Sequence, residues 1–178
     1  MKSVKKIIIL VAAILFISIR VLTYFSWPWI MIFAGIWLSP DPPEPQVQYG
    51  EFPFEIVYQL DGELYTVSDV LVCEYDGIGV DEGVGKHIQW KGYLKSNGNE
   101  EIVLLRKDSV RIVCSIGSPE YYMGDGDYSE QGIQPDLLLI EDYESLTTVH
   151  VLTDAEGEEY KIKLISWQLS KPITNTFE

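Results

Sequence analysis

The hydrophobic positions of this chain follow two different patterns, one on each side of residue 38. Residues 7–38 form a nearly continuous apolar run in which Arg20 is the only charged side chain. Because a helix that crosses a bilayer needs about 20 apolar residues, this run predicts a transmembrane helix. As one helix it would extend about 48 Å at 1.5 Å per residue, so its length leaves the span open. Residues 7–25 are the preferred span and residues 21–38 the alternative.

The flanks of the apolar run predict its orientation. Three lysines lie within the first six residues, and the first charges after the run are Asp41 and Glu44. Since positively charged flanks stay on the cytoplasmic side, we expect a cytoplasmic N-terminus and an extracytoplasmic C-terminal part at the cell membrane. Residues 36–38 are bulky and offer no signal-peptidase cleavage site. The run is therefore predicted to be retained as a signal anchor, which makes the lipid bilayer the first expected partner.

Four side chains of the run are typical of the membrane–water interface: Arg20, Tyr24, Trp27 and Trp29. With a span of residues 7–25, the three aromatic rings fall in an outer aromatic belt, and the guanidinium can reach the same interface along its aliphatic stem. Pro28 would allow a kink in a longer, tilted helix that reconciles the two spans.

The pattern changes abruptly after the apolar run. Residues 39–46 read SPDPPEPQ, whose four prolines predict a stiff, extended linker. From residue 47 the hydrophobic period is two rather than 3.6. This organisation predicts a cytoplasmic tip and anchor over residues 1–38, a linker over 39–46 and an extracytoplasmic β domain over 47–178.

The β domain is predicted to contain eight or nine short strands in an antiparallel β-sandwich or barrel, a mainly β fold. Asp61-Gly62 marks a hairpin turn. The four glycines of residues 76–85 predict a loop, and residues 155–157 predict a hairpin between the last two strands. Alternation places Val149 and Val151 towards the core. In the last strand the apolar parity changes, which predicts a β-bulge near residues 164–166.

Charge narrows the range of partners. Residues 39–178 hold nine basic and 27 acidic residues, a net charge of −18. Because phosphate binding needs a basic face, we expect no nucleic-acid partner. The chain contains no G-x-S-x-G, H-E-x-x-H or glycine-rich phosphate loop, so we expect no cofactor and assign no catalytic or metal-ligating residue.

The two cysteines give the main enzymatic alternative. Cys73 and Cys114 both lie in apolar strand runs, where they form either a bridge or, as we prefer, buried free thiols. An anchored β-barrel with His87 before Cys114 resembles a sortase-like cysteine transpeptidase of the cell wall. However, residues 111–113 depart from the T-x-T-C pattern of sortases, and no arginine follows Cys114. A cell-wall enzyme therefore stands as an alternative function.

The long loop over residues 117–135 contains the candidate binding residues: Tyr121, Tyr122, Asp125, Asp127, Tyr128 and Glu130. Loops of this length in compact domains are disproportionately functional. We expect its tyrosines to pack at least partly against the sheet edge and its acids to be exposed, which would suit a cationic or carbohydrate partner. The D-G-D-x-x-E pattern within it raises a calcium-dependent structural domain as a further alternative.

Three segments resemble an uncharacterised family of small membrane-anchored proteins of Gram-positive bacteria: residues 49–54 (YGEFPF), 81–83 (DEG) and 117–125 (GSPEYYMGD). The resemblance implies an anchor and a Gram-positive cell surface, with no activity attached. Taken with the residue patterns, the predicted function is a membrane-anchored extracytoplasmic binding or accessory module whose ligand is a cell-surface protein or a wall polymer.

Overall fold

The computed structural model describes residues 2–126, 133–143 and 146–178. Within these ranges the chain forms one long helix, eight strands and two short helices. The elements are α1 (Lys2–Leu38), β1 (Tyr49–Leu60), β2 (Glu63–Asp81), β3 (Gly85–Leu94), β4 (Ile102–Lys107), β5 (Val110–Ser115), α2 (Pro119–Tyr122), β6 (Asp136–Tyr143), β7 (Leu146–Val151), α3 (Asp154–Glu159) and β8 (Ile162–Leu169).

The chain divides into two compact units. The first comprises Met1–Pro42 together with Ile78–His87, and the second comprises Pro43–Gly77 together with Ile88–Glu178. The first unit contains α1 and the turn between β2 and β3. The second contains most of the strands and both short helices.

Helix α1 is continuous through Pro28. Its segment Ile9–Leu38 has a mean hydropathy of 2.2 and buries none of its apolar side chains, so it is long and apolar enough to cross a membrane. A helix in the core of a soluble domain would instead cover one face with other elements. The segment is compatible with a transmembrane anchor or a signal sequence.

The strands form two antiparallel four-stranded sheets, in the orders β3-β2-β1-β8 and β4-β5-β6-β7. Strand β1 pairs with β2 along its whole length around the turn at Asp61 and Gly62, whose φ angles are +52° and +89°. Positive φ at both central residues is the geometry of a type I′ hairpin. The mainly β, antiparallel fold with eight strands confirms the sequence prediction.

Side chains from both sheets share one hydrophobic core. Alternate residues of β1 point into it, from Phe52 to Tyr58, and they meet Ile112 of β5 and Leu139 of β6. Ile56 and Ile112 have no exposed surface. Two sheets that cover a common core form a β-sandwich.

The predicted β-bulge in the last strand is confirmed. Val57 of β1 pairs with Ser166, but the next residue, Tyr58, pairs with Leu164, so Ile165 is the extra residue. A bulge changes which parity faces the core. For this reason Ile162 is 2% exposed in the first half of β8, whereas Leu169, of the other parity, packs against the core in the second half.

The prediction of a loop over residues 76–85 is wrong. Strand β2 continues to Asp81 and β3 begins at Gly85, which leaves a short turn in which the Asp81 carboxylate accepts a 2.7 Å hydrogen bond from the Gly83 amide. A Cβ atom at Gly79 would lie 2.6 Å from the His87 ring. The absence of a side chain at Gly79 therefore allows this close approach of the imidazole.

Two further predictions for the C-terminal part are wrong. Residues 155–157 do not form a hairpin, because they belong to α3 and because β7 and β8 lie in different sheets. Val149 and Val151 do not face the core: each is 56% exposed. The register explains this, because His150 lies opposite the core residue Leu139, whereas the two valines lie opposite Leu138 and Ile140 on the other face of the sheet.

Candidate functional site

A cleft of about 810 Å³ opens in the second unit where the two sheets end side by side. Its walls come from β8, α3 and the adjoining ends of β6 and β7. Apolar side chains line part of it: Val151, Leu152, Ile162 and Leu164. Charged side chains line the rest: Asp61, Asp136, Asp154, Glu158, Lys161 and Lys163.

Helix α3 forms one wall of the cleft and is held by a capping box. The Thr153 side chain accepts from the Glu156 amide, and the Glu156 carboxylate accepts a 2.8 Å hydrogen bond from the Thr153 amide in return. These contacts satisfy amides that have no partner within the helix. A Cβ atom at Gly157 would lie 3.2 Å from the Ile162 carbonyl oxygen, so glycine allows the helix to approach β8 closely.

The same carboxylate joins α3 to β7. The Glu156 Oε1 atom lies 2.9 Å from Nε2 of His150. The backbone amide of Thr153, then His150 and the Thr153 hydroxyl, lower the pKa of Glu156 to about 2. Because these donors stabilise the ionised form, the carboxylate stays charged to a lower pH than an ordinary glutamate and keeps accepting their hydrogen bonds.

The balance of charge in the cleft is negative. Lys161 pairs with Asp61 at 3.3 Å. Asp136, Asp154 and Glu158 then face one remaining lysine, Lys163, among the cleft residues that the structure describes. A cleft lined by both apolar and acidic side chains is suited to a ligand that carries both apolar and cationic groups. No local sequence pattern predicts this site, which brings the turn between β1 and β2 next to the stretch from β6 to β8, far along the chain.

The loop predicted as the binding site contributes two of its tyrosines to the core. Tyr121 is 6% and Tyr122 is 1% exposed. The Tyr122 hydroxyl donates a 2.7 Å hydrogen bond to the Ile116 carbonyl, and its ring centroid lies 4.8 Å from that of Phe52. Burial raises the pKa of Tyr122. Neither ring offers a surface on which a ligand could stack, so packing is the role that the geometry gives them.

Among the predicted acids of this loop, Asp125 is half-buried and accepts a 2.7 Å hydrogen bond from the Trp90 indole. Asp127, Tyr128 and Glu130 lie outside the described residues. The part of the chain that the structure describes contains no group of three or more side chains that could hold a metal ion. The structure thus brings Tyr121, Tyr122 and Asp125 together around the core rather than around a cavity.

Both cysteines are free thiols buried in the core: Cys73 is fully buried and Cys114 is 4% exposed. Burial, with smaller contributions from Glu120 and Asp136 respectively, raises the pKa of each thiol to about 12. The thiolate is the nucleophile in cysteine catalysis. Cys114 is therefore protonated at neutral pH and is a packing residue here, which argues against the sortase-like alternative.

The four predicted interface residues all lie on α1. Arg20, Tyr24 and Trp27 follow each other at spacings of four and three residues, which places them along one face of the helix. Tyr24 is 77% exposed, and Trp27 and Trp29 are 56% and 54% exposed. The Arg20 guanidinium lies 5.2 Å from the Phe16 ring centroid, a cation–π contact made within the helix.

Comparison with protein-family models, curated proteins and solved structures finds no match to this chain.

Proposed function

We propose that this protein is a single-pass membrane protein with a cytoplasmic N-terminus, whose β-sandwich lies outside the cell and acts as a binding or accessory module. One observation carries the proposal: the segment Ile9–Leu38 is apolar, none of its residues is buried, and a proline-rich stretch follows it before the first strand. So large an exposed apolar surface is stable only in an apolar environment, and lipid supplies one.

The distribution of charge supports the orientation. The first 38 residues carry four basic residues and no acid, whereas the remainder has a net charge of −18. Basic flanks stay with the anionic cytoplasmic leaflet, and an acidic domain is repelled by it. The resemblance to small membrane-anchored proteins of Gram-positive bacteria is consistent with this arrangement.

The ligand that we propose is a cell-surface protein or a wall polymer that carries cationic groups. The cleft between β8 and α3 is the place for it, because apolar and acidic side chains both line that cleft. The buried cysteines, with pKa values near 12, favour this binding role over a cysteine-dependent enzyme.

Labelling of introduced cysteines on intact cells tests the topology. The two natural thiols are buried and protonated, so the wild-type chain supplies a matched background with little labelling. Ser3→Cys places a thiol before the apolar run of residues 7–38, and Thr66→Cys places one at an exposed position of β2. A membrane-impermeant maleimide should label the Thr66→Cys protein on intact cells and the Ser3→Cys protein only after permeabilisation.

The reversed labelling pattern would contradict the orientation. If Thr66→Cys were labelled only after permeabilisation as well, the β domain would be cytoplasmic and the proposal would be wrong. Recovery of a shortened, labelled chain from the culture medium would show that residues 1–38 are a cleaved signal sequence rather than an anchor.

A further inference from the structure

Open sheet edges are a hazard in β proteins, because their unpaired backbone groups can accept any extended strand. The two sheets of this protein present four edge strands: β3, β8, β4 and β7. Three of them carry exposed basic side chains of the kind that blocks strand addition. These are Lys91 in β3, Arg106 and Lys107 in β4, and Lys163 in β8.

Irregular pairing protects two of these strands further. The register between β4 and β5 shifts between Val103 and Leu105, and β8 contains the bulge at Ile165. Bulges twist an edge and interrupt the row of hydrogen-bonding groups. The protein thus uses both common devices against edge-to-edge association.

Strand β7 has neither device. It reads LTTVHV, without lysine, arginine, proline or glycine, and it pairs with β6 over six residues without a register shift. Its residues favour extended structure strongly. Val149 and Val151 are each 56% exposed. In the described part of the chain no other element pairs with its outer edge.

The outward backbone groups can be assigned from the pairing. The Leu152 amide donates a 2.7 Å hydrogen bond to the Leu137 carbonyl, so residue 152 points inward. Inward and outward residues alternate along an antiparallel strand. The N–H and C=O groups of Thr147, Val149 and Val151 therefore point to the open edge, at the same positions that expose two valine side chains.

The electrostatic surroundings of this edge select its partner. Asp142 lies opposite Thr147 on the neighbouring strand, and Arg111 pairs with it at 2.7 Å. Glu141 lies opposite Thr148 on the neighbouring strand, and α3 follows β7 with four more acids. A second copy of this chain would bring the same charge to the edge and be repelled, whereas a basic segment would be attracted.

We infer that the outer edge of β7 is a docking site for an extended, basic and apolar segment of a partner protein, which adds as a fifth strand to the sheet β4-β5-β6-β7. The inference rests on the proposed function as a binding module and names its class of partner. Main-chain hydrogen bonds give such an interaction its affinity, and alternate side chains give it specificity. Val151 also lines the cleft beside α3, together with Asp154 and Glu158, so the added strand would reach these carboxylates.

Peptide binding to the detergent-solubilised full-length protein tests this inference. The probe is the fluorescein-labelled peptide Lys-Val-Thr-Val-Thr-Val-Lys, followed by fluorescence anisotropy. Two control peptides separate the contributions: one is N-methylated at alternate residues and cannot complete the hydrogen bonds, and one carries glutamate in place of both lysines. The first peptide should bind, and each control should bind at least about tenfold more weakly.

Variants at the edge test the location. Val149→Pro removes one outward N–H, which an edge strand tolerates, and should weaken binding at least about tenfold. Val149→Thr is the matched control, because it keeps the amide and the branched shape, and should bind within about threefold of wild type. If Val149→Pro lowers the melting temperature, Val151→Lys provides a second variant, whose added charge should repel the basic peptide.

Several outcomes would overturn the inference. Equal binding to Val149→Pro and Val151→Lys would place the site elsewhere, and equal binding of the N-methylated peptide would reduce the interaction to nonspecific charge attraction. No binding of the probe at all would also overturn it. A concentration-dependent dimer, seen by sedimentation and lost in Val149→Pro, would make a second copy the occupant. These results are independent of cysteine labelling on cells, so failure here leaves the topology standing.

Discussion

The indole N–H of Trp90, in β3, donates a 2.7 Å hydrogen bond to the carboxylate of Asp125, which follows α2. Trp90 is 6% exposed, so its donor has little access to water. A buried donor without a partner costs free energy. The hydrogen bond therefore connects the loop after α2 to the sheet β3-β2-β1-β8, and Asp125 has a structural role.

We predict that Asp125→Ala lowers the free energy of unfolding by about 1–3 kcal/mol, because it leaves the Trp90 indole unsatisfied. Urea denaturation followed by far-UV circular dichroism measures the change. Asp125→Asn is the matched control, since it keeps one acceptor oxygen and should lose less. Equal stability of Asp125→Ala and wild type would show that water replaces the carboxylate.

Thiol chemistry provides the second prediction. With pKa values of about 12 for both cysteines, the folded protein should react negligibly with iodoacetamide at pH 8, whereas the chain unfolded in urea without reductant should yield two thiols. Cys114→Ser should destabilise the protein by about 1–3 kcal/mol, because a hydroxyl without a partner replaces a buried thiol. Cys114→Ala, which introduces no polar group, should cost less. A count of zero thiols after unfolding would reveal a bridge.

The period of the hydrophobic residues was sufficient to predict strands that have one apolar and one polar face. In β8 the parity change between Ile162 and Leu169 locates the bulge without any knowledge of the partner strand. In β7 the same reasoning was wrong for Val149 and Val151, because alternation identifies residues that share a face but not whether anything covers that face. Which face is covered depends on the register with the neighbouring strand, and that register is a property of the whole sheet.

The candidate site was less accessible to sequence reasoning than the fold. Asp61 and Lys161, which pair in the cleft, come from distant parts of the β domain, and no local pattern connects them. One signal was present: Thr153 and Glu156 match the capping-box spacing, which predicts a helix start. The prediction of a hairpin over residues 155–157 did not take that signal into account, because Gly157 also favours a turn.

Glu156 gives a prediction about pH. Its pKa in the folded protein is about 2, below the ordinary glutamate value of 4.5. Its ionised form therefore stabilises the fold above about pH 4.5, and that stabilisation is lost as the pH falls towards 2. Glu156→Gln should lower the melting temperature at pH 6 and reduce its fall between pH 4.5 and 2. Glu158→Gln, a change on α3 outside the capping box, is the control. Parallel melting profiles for wild type and Glu156→Gln would contradict this assignment.

Lys86 supplies the last prediction, within the first unit. Its ammonium group donates to the carbonyl oxygens of Ser39, at 2.7 Å, and Trp37, at 3.3 Å, and lies 2.8 Å from the Asp41 carboxylate. The side chain is 15% exposed. A cation at a helix C-terminus satisfies carbonyls that have no partner within the helix and opposes the negative end of the helix dipole. Lys86 therefore holds the start of β3 to the end of α1.

We expect Lys86→Met to loosen the end of α1 without unfolding the sandwich. The loss should be about 1 kcal/mol of local stability, visible as faster hydrogen exchange around the Ser39 amide, which bonds to the Gly35 carbonyl at 3.0 Å. Lys86→Arg retains the charge and should preserve most of the protection, whereas Asp41→Asn removes only the carboxylate and should have an intermediate effect. Unchanged exchange in Lys86→Met would show that the helix end is held by its own backbone hydrogen bonds. The ammonium group would then contribute nothing to the local stability of α1.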